Sequence, residues 1–364
     1  MLYNWQQKKW PAFTYRLSEI EEVSRGFDIH VERVKAVLSA FDVTTEAGKS
    51  LEAMVAEAVS TSAIEGEVVS PQDVMSSMKN RLGKNSKPIS VRDYRASGVA
   101  SLLLTVRQAF AEPLTATMLR DWHQKLFDGY PVRESPEIIG GYRKDSIFVK
   151  AADLDEAAIR FEAPPSRVVP KEMTRFLKWF NESGQTGMAS VVRAAIAHLY
   201  FESIHPFCDG NGRLGRALVS KIVAQHSSAF IMIPFSVGLF EQRKAYYEAL
   251  HQASFTLDVT EWIRAFTGLL TTSIQNYEAE LRFQIRVLCL LSDAKPQLNE
   301  RQLKVFDRMT REGFKGFEGG MSAGKYQKIA HTSKATATRD LSEMVGLGVL
   351  IRMGEGAGVR YEIA

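Results

Sequence analysis

Apolar residues recur at helical spacing along most of the chain, up to about residue 290. Over 28–41 the apolar positions are Ile29, Val31, Val34, Val37, Leu38 and Phe41, one face of an amphipathic helix. Residues 46–65 place Leu51, Met54, Val55, Ala58, Val59, Ser62 and Ala63 in the same way. Ser70-Pro71-Gln72-Asp73 predicts a helix start, with serine as N-cap and proline at the first helical position. A further helix is predicted over 91–110, broken by Pro113, and the next begins at Thr115 and runs through Leu119, Trp122 and Leu126. The pattern lapses over 129–170, where Gly129, Pro131, Pro136, Gly140, Gly141, Pro164, Pro165 and Pro170 mark loops. Within that stretch, 142–149 predicts a short β-hairpin. Helical spacing returns over 170–182 and 187–204, and the second of these is apolar nearly all round, which predicts a buried central helix. Helices at about 212–227, 240–254 and 257–291 follow.

The remaining residues have a different grammar. Helices are predicted at 300–313, 326–330 and 333–346, followed by a hairpin of 349–352 with 359–363 around Gly354, Gly356 and Gly358. Three helices and a glycine-tipped hairpin are the winged helix-turn-helix pattern. The predicted fold is therefore mainly α: a helical core with a short β-hairpin, followed by a winged helix domain. The expected divisions are an N-terminal helical region at 1–98, a core at 99–285 and the winged helix at 286–364.

Composition narrows the setting. A chain of 364 residues exceeds a typical single domain and predicts two or three. The net charge is +4, and residues 286–364 hold 13 basic and 9 acidic residues, so that excess sits in the last segment and the rest is neutral. This hints at an acidic partner there. Two cysteines, Cys208 and Cys289, imply no disulfide framework and fit a reducing compartment. The start of the chain has no apolar run behind its lysines, so no signal peptide is expected. The longest uncharged stretch, between 221 and 241, includes Gln225, His226 and Pro234 and is a poor membrane span. A cytoplasmic protein without membrane contact is expected.

Chemistry concentrates in His205-Pro206-Phe207-Cys208-Asp209-Gly210-Asn211-Gly212-Arg213-Leu214-Gly215-Arg216. Pro206 ends the buried helix before it. Gly210 and Gly212 flank Asn211 and let the backbone approach a ligand closely. The next helix begins here, and its free N–H groups favour an anion. Arg213 and Arg216 lie in its first turns, where cations oppose the helix dipole, which points to a phosphate partner. Asp209 offers a carboxylate for Mg2+ beside phosphate oxygens, and His205 is a titratable base.

This segment resembles the signature of the Fic family, H-P-F-x-(D/E)-G-N-G-R-x-x-R, at every fixed position. The surroundings over roughly 100–270 resemble the family as well. The resemblance implies transfer of AMP from ATP to a protein hydroxyl, with ATP and Mg2+ required. Carried over, it makes His205 the base for a Ser, Thr or Tyr hydroxyl, with Asn211 and Arg213 sharing the catalytic work. It makes Asp209 the metal ligand and Gly210, Asn211 and Gly212 an anion hole. Arg213, Leu214, Gly215 and Arg216 become the phosphate-binding turns, and Tyr247 an aromatic neighbour of the nucleotide. Residues 142–149, with Tyr142, Ile147, Phe148 and Val149, become a flap that registers the target chain by strand pairing.

A second constellation lies upstream. Thr61 and Glu65 are four apart and share a helix face, and Gly66 is the expected C-cap. A glutamate in a last helical turn opposes the dipole and calls for a cation. The stretch resembles the family's inhibitory motif, (S/T)-x-x-x-E-(G/N), whose glutamate pairs with the second motif arginine, here Arg216, and blocks the γ-phosphate site. The resemblance thus implies a self-inhibited adenylyltransferase with a protein target, itself included among the candidates, and a homodimer is expected. The alternatives are removal of AMP, with Glu65 positioning water, and a DNA-binding regulator with a nucleotide-sensing core. For the last, 326–364 would contact DNA through Thr336, Thr338 and Arg339.

Overall fold

The N-terminal amphipathic pattern builds two long helices, α1 (Leu17–Leu38) and α2 (Val43–Ile64). The first starts earlier than its clearest periodicity because Ile20, Ser24 and Phe27 continue the buried face. Asp42 caps α2 by accepting from the N–H groups of Thr44 and Thr45. Ser70 caps α3 (Pro71–Arg81), Asp93 caps α4 (Tyr94–Gln108), and Thr115 caps α5 (Ala116–Leu126). These side-chain caps satisfy N–H groups that have no partner inside the helix. The described residues of this computed structural model are 2–85, 87–150 and 159–364.

Next come strands β1 (Phe148–Lys150) and β2 (Ile159–Glu162), then α6 (Val169–Ser183), α7 (Ser190–Ile204) and α8 (Asn211–His226). A short helix that the pattern did not predict, α9 (Phe235–Glu241), precedes the expected helix over 240–254, which is α10 (Arg243–Ala253), and α11 (Thr260–Ala294) follows. The core centres on α7, which is buried along nearly its whole length and packs along α8, with α6 and α1 also against it. The apolar pattern without a polar face is thereby explained. Helix α2 lies against α9, α3, α4 and α8, so its C-terminal end reaches the start of α8.

The chain divides into two units, Met1–Gln275 and Asn276–Ala364, with the boundary inside α11. The second unit has its own core of Val305, Phe306, Met309, Tyr326, Leu341, Met344 and Val349. Its elements are α12 (Glu300–Thr310), α13 (Ala323–Ala330), α14 (Lys334–Gly346) and the antiparallel pair β3 (Leu350–Met353) and β4 (Arg360–Ile363), in register from Leu350↔Ile363 to Met353↔Arg360. Buried Asp340 ties α14 down, accepting from Tyr326 Oη at 2.9 Å and Arg301 Nε at 3.1 Å. Among the described residues, no helix is long and apolar enough to cross a membrane.

Candidate nucleotide and catalytic site

The loop between α7 and α8 is built by the backbone. His205 ends α7 in the left-handed region, with φ 48°, and Gly210 starts α8 in the same region, with φ 77°. Asn211 closes the loop on itself: its Oδ1 accepts from Phe207 N–H at 3.0 Å and its Nδ2 donates to Phe207 O at 2.9 Å. Both ends of that amide are used locally, so Asn211 braces the loop that frames the helix N-terminus. Holding a non-glycine residue at positive φ costs energy that the surroundings must offset. Arg143 supplies that at His205. Its Nε donates to His205 O at 2.7 Å, its Nη2 reaches Pro164 O and Ile204 O, and its backbone N–H donates to Pro206 O at 2.9 Å.

His123, fully buried on α5, supports the loop from beneath. Its Nε2 lies 3.2 Å from Asp209 O and its Nδ1 3.0 Å from Gly140 N–H. Gly140 N–H can only donate, so Nδ1 accepts and Nε2 carries the proton. Burial pushes this imidazole down to about 4, so it is neutral. It stacks on Phe207 with ring centroids 4.2 Å apart.

Both motif arginines are buried and both are occupied. Arg216 Nη2 pairs with Glu65 Oε1 at 2.7 Å, its Nε donates to Thr61 Oγ1 at 2.7 Å, and Nη2 also reaches Thr61 O at 3.0 Å. Burial alone would lower this guanidinium; the Glu65 carboxylate, together with the Tyr246 and Tyr247 hydroxyls, outweighs burial and holds it above its ordinary range. Arg213 Nη1 pairs with Glu67 Oε2 at 2.6 Å and lies 3.4 Å from Tyr130 Oη. Burial lifts the Glu67 carboxyl above its ordinary range, with Arg213 opposing. Gly66, at φ +81°, turns the chain between the two glutamates. Tyr247 Oη donates to Ile64 O at 3.4 Å, which places it at the same helix end. Each motif arginine is thus paired with a carboxylate from the chain at or just past the end of α2.

Leu214 is buried in the core, and Gly215 gives α8 a bare backbone facing His198 and Glu202 of α7. Asp209 is different: its side chain is 60% exposed, its Oδ1 accepts from Gly210 N–H at 2.5 Å, and Arg213 approaches the same oxygen only loosely, at 3.7 Å. No cluster of three or more metal-ligating side chains occurs among the described residues. A single open carboxylate still fits Mg2+, which commonly takes one or two carboxylates and completes its shell with water and substrate phosphates.

The hairpin lies further along the chain than 142–149. Strand β1 pairs antiparallel with β2, Phe148 opposite Glu162 and Val149 opposite Phe161. Residues 142–147 lie before the strand because backbone groups there bond elsewhere: Arg143 N–H to Pro206, and Asp145 O to Arg143 Nη1. Tyr142 packs toward Phe207 at 5.7 Å and under Arg120 at 4.8 Å. Ile147 joins the hairpin only through its carbonyl, which accepts from Ala163 N–H at 3.1 Å. Phe148 is 47% exposed; the side chain of Val149 lies outside the described residues. The N-terminal segment braces β2: Trp5 Nε1 donates to Glu162 O at 2.7 Å, and the Tyr3 ring meets Phe161 edge-on at 5.1 Å. Next to Trp5, buried Asn4 donates to Ser203 Oγ on α7 at 2.8 Å.

In the second unit, Thr336 and Thr338 spend their hydroxyls on Ser333 and on Lys334 O, while Arg339 is exposed.

Sequence reasoning missed Arg143, His123, Glu67, Glu202 and Asn4. Only Glu67 had a signal, a second carboxylate just past the helix-ending glycine.

Residues 113–223 match the family model described as Fic/DOC, and the chain carries a Fic/DOC domain. Residues 3–84 match a model described as a domain of unknown function, DUF4172. A protein adenylyltransferase fic-1 of Caenorhabditis briggsae is 27% identical over 153 residues, 42% of this chain and 29% of that protein. A probable protein adenylyltransferase of Aquifex aeolicus (strain VF5) is 30% identical over 131 residues, 36% of this chain and 34% of that protein. The chain thus spans about a third or less of these relatives' length. Among solved structures, a Fic family protein from Desulfovibrio desulfuricans G20 aligns with TM-score 0.52 and 19% identity, over 93% of this chain and 96% of that one. A Fic domain containing signaling protein from Bacteroides thetaiotaomicron VPI-5482 gives TM-score 0.54 and 20% identity, over 71% and 98%. These likenesses fix the helical fold.

Proposed function

We propose that this protein transfers AMP from ATP to a serine, threonine or tyrosine hydroxyl of a protein, itself included among the candidates, and that it rests in a self-inhibited state. The adenylyltransferase relatives support the reaction class. The observation that carries the reading is the convergence at one helix start of the His205 turn, the Gly210–Gly212 backbone and two buried arginines.

In this reading His205 takes the hydroxyl proton as the oxygen attacks the α-phosphorus. The bond from the α-phosphorus to its bridging oxygen breaks, and pyrophosphate leaves. Phosphoryl-type transfer needs mainly positioning and charge stabilisation. The N–H groups at the start of α8, together with Arg213 and Arg216, supply fixed positive charge. Asp209 would hold Mg2+, which supplies further charge neutralisation at the phosphates when bound. With Glu65 on Arg216, the carboxylate fills space that a terminal phosphate needs, and this supports self-inhibition. A target chain would lie along β1 and β2.

The test is incorporation of label from α-labelled ATP. Transfer is expected from the intact chain and its loss in His205→Ala, with ATP binding largely retained because the anion-binding backbone and arginines remain. Undiminished transfer by that variant would sink the assignment. One observation favours a second reading: the Glu65 side chain, 30% exposed, is open enough to hold a water. AMP release from a pre-modified target would then exceed AMP addition.

A further inference from the structure

Glu202 stands one turn before His205 on α7, and the chemistry described so far leaves it unused. Its side chain is 10% exposed, and Oε2 lies 3.5 Å from Nδ1 of His205. Its other oxygen, Oε1, is buried without a hydrogen-bond partner. A buried carboxylate without compensation is expensive and ordinarily becomes neutral. Burial alone would indeed lift this group, but the His205 imidazole at its edge and the Arg216 charge oppose that, and the carboxyl is held below the usual glutamate range. Glu202 is therefore an ionised group directed at the back of the imidazole.

Its neighbours leave it to His205. His198, the next imidazole on α7, is kept neutral by burial and has Nε2 2.7 Å from Tyr246 Oη of α10. On α8, Arg216 is already engaged by Glu65 and Thr61. Helix α8 makes room for the carboxylate by placing Gly215 opposite it: a Cβ there would lie 2.8 Å from Glu202 Oε1 and 2.8 Å from His198 Nδ1. The glycine within the Arg213–Arg216 turn is thus explained by what lies behind it.

We propose that Glu202 is a positioning residue for His205. It accepts a hydrogen bond from Nδ1–H, which fixes the tautomer whose lone pair is on Nε2 and turns that nitrogen outward. When Nε2 takes the proton of a target hydroxyl, the Nδ1 proton stays in place. Glu202 remains ionised and stabilises the imidazolium, as the carboxylate of a serine-protease triad does. At 3.5 Å the two groups face each other without yet making the hydrogen bond, and Nδ1 is buried with no other partner; catalytic contacts of this kind tighten when substrate is bound. The catalytic half of this inference rests on the AMP-transfer reading; the tautomer half does not.

The experiment has two arms. Imidazole 15N NMR of the full chain, with the His205 signals identified by their loss in His205→Ala, reads which nitrogen carries the proton. The Nδ1–H form is expected in the unaltered protein, and finding the Nε2–H form overturns the proposal without any variant having to fold. The second arm follows AMP incorporation. Glu202→Gln keeps the shape and removes the charge, and kcat should fall at least tenfold with KM for ATP unchanged. Glu202→Asp keeps the charge on a shorter arm and should recover part of that loss. Unchanged kcat in Glu202→Gln, or equal losses in both variants with KM for ATP also raised, assigns Glu202 to structure alone. Absence of transfer from every form would defeat the AMP-transfer reading while the NMR result still decides the tautomer.

Discussion

The Glu65 carboxylate occupies the place where a side chain on Gly212 would begin: a Cβ there would lie 2.2 Å from Glu65 Oε1. Glu65 sits at the C-terminal end of α2, where a negative charge opposes that helix's dipole. The same carboxylate lies over the first turn of α8, where the dipole favours it. A charge misplaced on its own helix is thus well placed on the next, and Arg216 completes its environment. The arrangement also imitates a phosphate, an anion held by a helix start and an arginine.

Removing that anion should release the site. Glu65→Gly is expected to raise AMP transfer by at least about tenfold, which needs only about 1.4 kcal/mol of barrier change. Glu65→Asp should be intermediate because its shorter arm reaches Arg216 poorly. Thr61→Ala should be mildly activating, since Thr61 Oγ1 helps hold Arg216 in the pairing position. Incorporation assays at saturating Mg2+-ATP compare the variants. Equal or lower transfer by folded Glu65→Gly would remove the inhibitory reading and favour a water-positioning role.

Glu67 adds a second clamp on the first motif arginine. A phosphate that takes Arg213 must displace a carboxylate 2.6 Å away in a largely buried setting. Glu67→Gln keeps the shape and removes the charge. ATP should bind about tenfold more tightly, again about 1.4 kcal/mol, and the gain should add to that of Glu65→Gly only in part, because the two pairs share one helix end. Titration calorimetry on the two single variants and the double variant decides it. Weaker binding in Glu67→Gln would mean that Glu67 holds Arg213 in position for the nucleotide.

The sequence carried the site's inventory and little of its bracing. His205, Gly210, Arg213 and Arg216 are legible because a short run of chain supplies them in order, and Glu65 because it ends a periodic helix. Arg143 and His123 were not legible, since their partners are backbone carbonyls and an N–H far away in the chain. Nothing in a lone arginine after Gly-Tyr states that it will hold a left-handed histidine. The hairpin was misplaced for a related reason: strand propensity over 142–149 was real, but 142–146 gave backbone groups to the motif loop and to Ser166, whose Oγ donates to Lys144 O. The helices were read well because burial of one face sets their period, whereas the break between α9 and α10 at Gln242 has no proline or glycine to announce it.

The N-terminal segment should matter to the flap. Trp5 bonds the carbonyl of Glu162 on β2, and Asn4 bonds Ser203 two residues before His205. Trp5→Phe removes one hydrogen bond, about 1 kcal/mol, and leaves most of the ring's packing. KM for a protein target should rise severalfold while KM for ATP stays constant. Steady-state kinetics with each substrate varied in turn separates the two, and an equal rise in both would place the effect in general stability.

His123 should make the site acid-labile. Its imidazole titrates at about 4 in the folded chain against an ordinary 6.5, because burial disfavours the charged form. Between those values the unfolded chain binds more protons than the folded one, so stability falls as pH is lowered through that window and is fully present above it. The gap corresponds to at most about 3 kcal/mol. Protonation also has a local cost: Nδ1 would become a donor facing the Gly140 N–H, and the hydrogen bond at 3.0 Å would be lost. The loop at Asp209, which His123 holds through Nε2, should therefore loosen first. Melting temperature followed from pH 7 toward pH 4.5 is expected to fall for the unaltered chain. His123→Gln, which cannot titrate there, should start lower at pH 7 and fall less steeply. Parallel curves for the two proteins would assign the acid sensitivity to other groups and leave His123 a packing residue only.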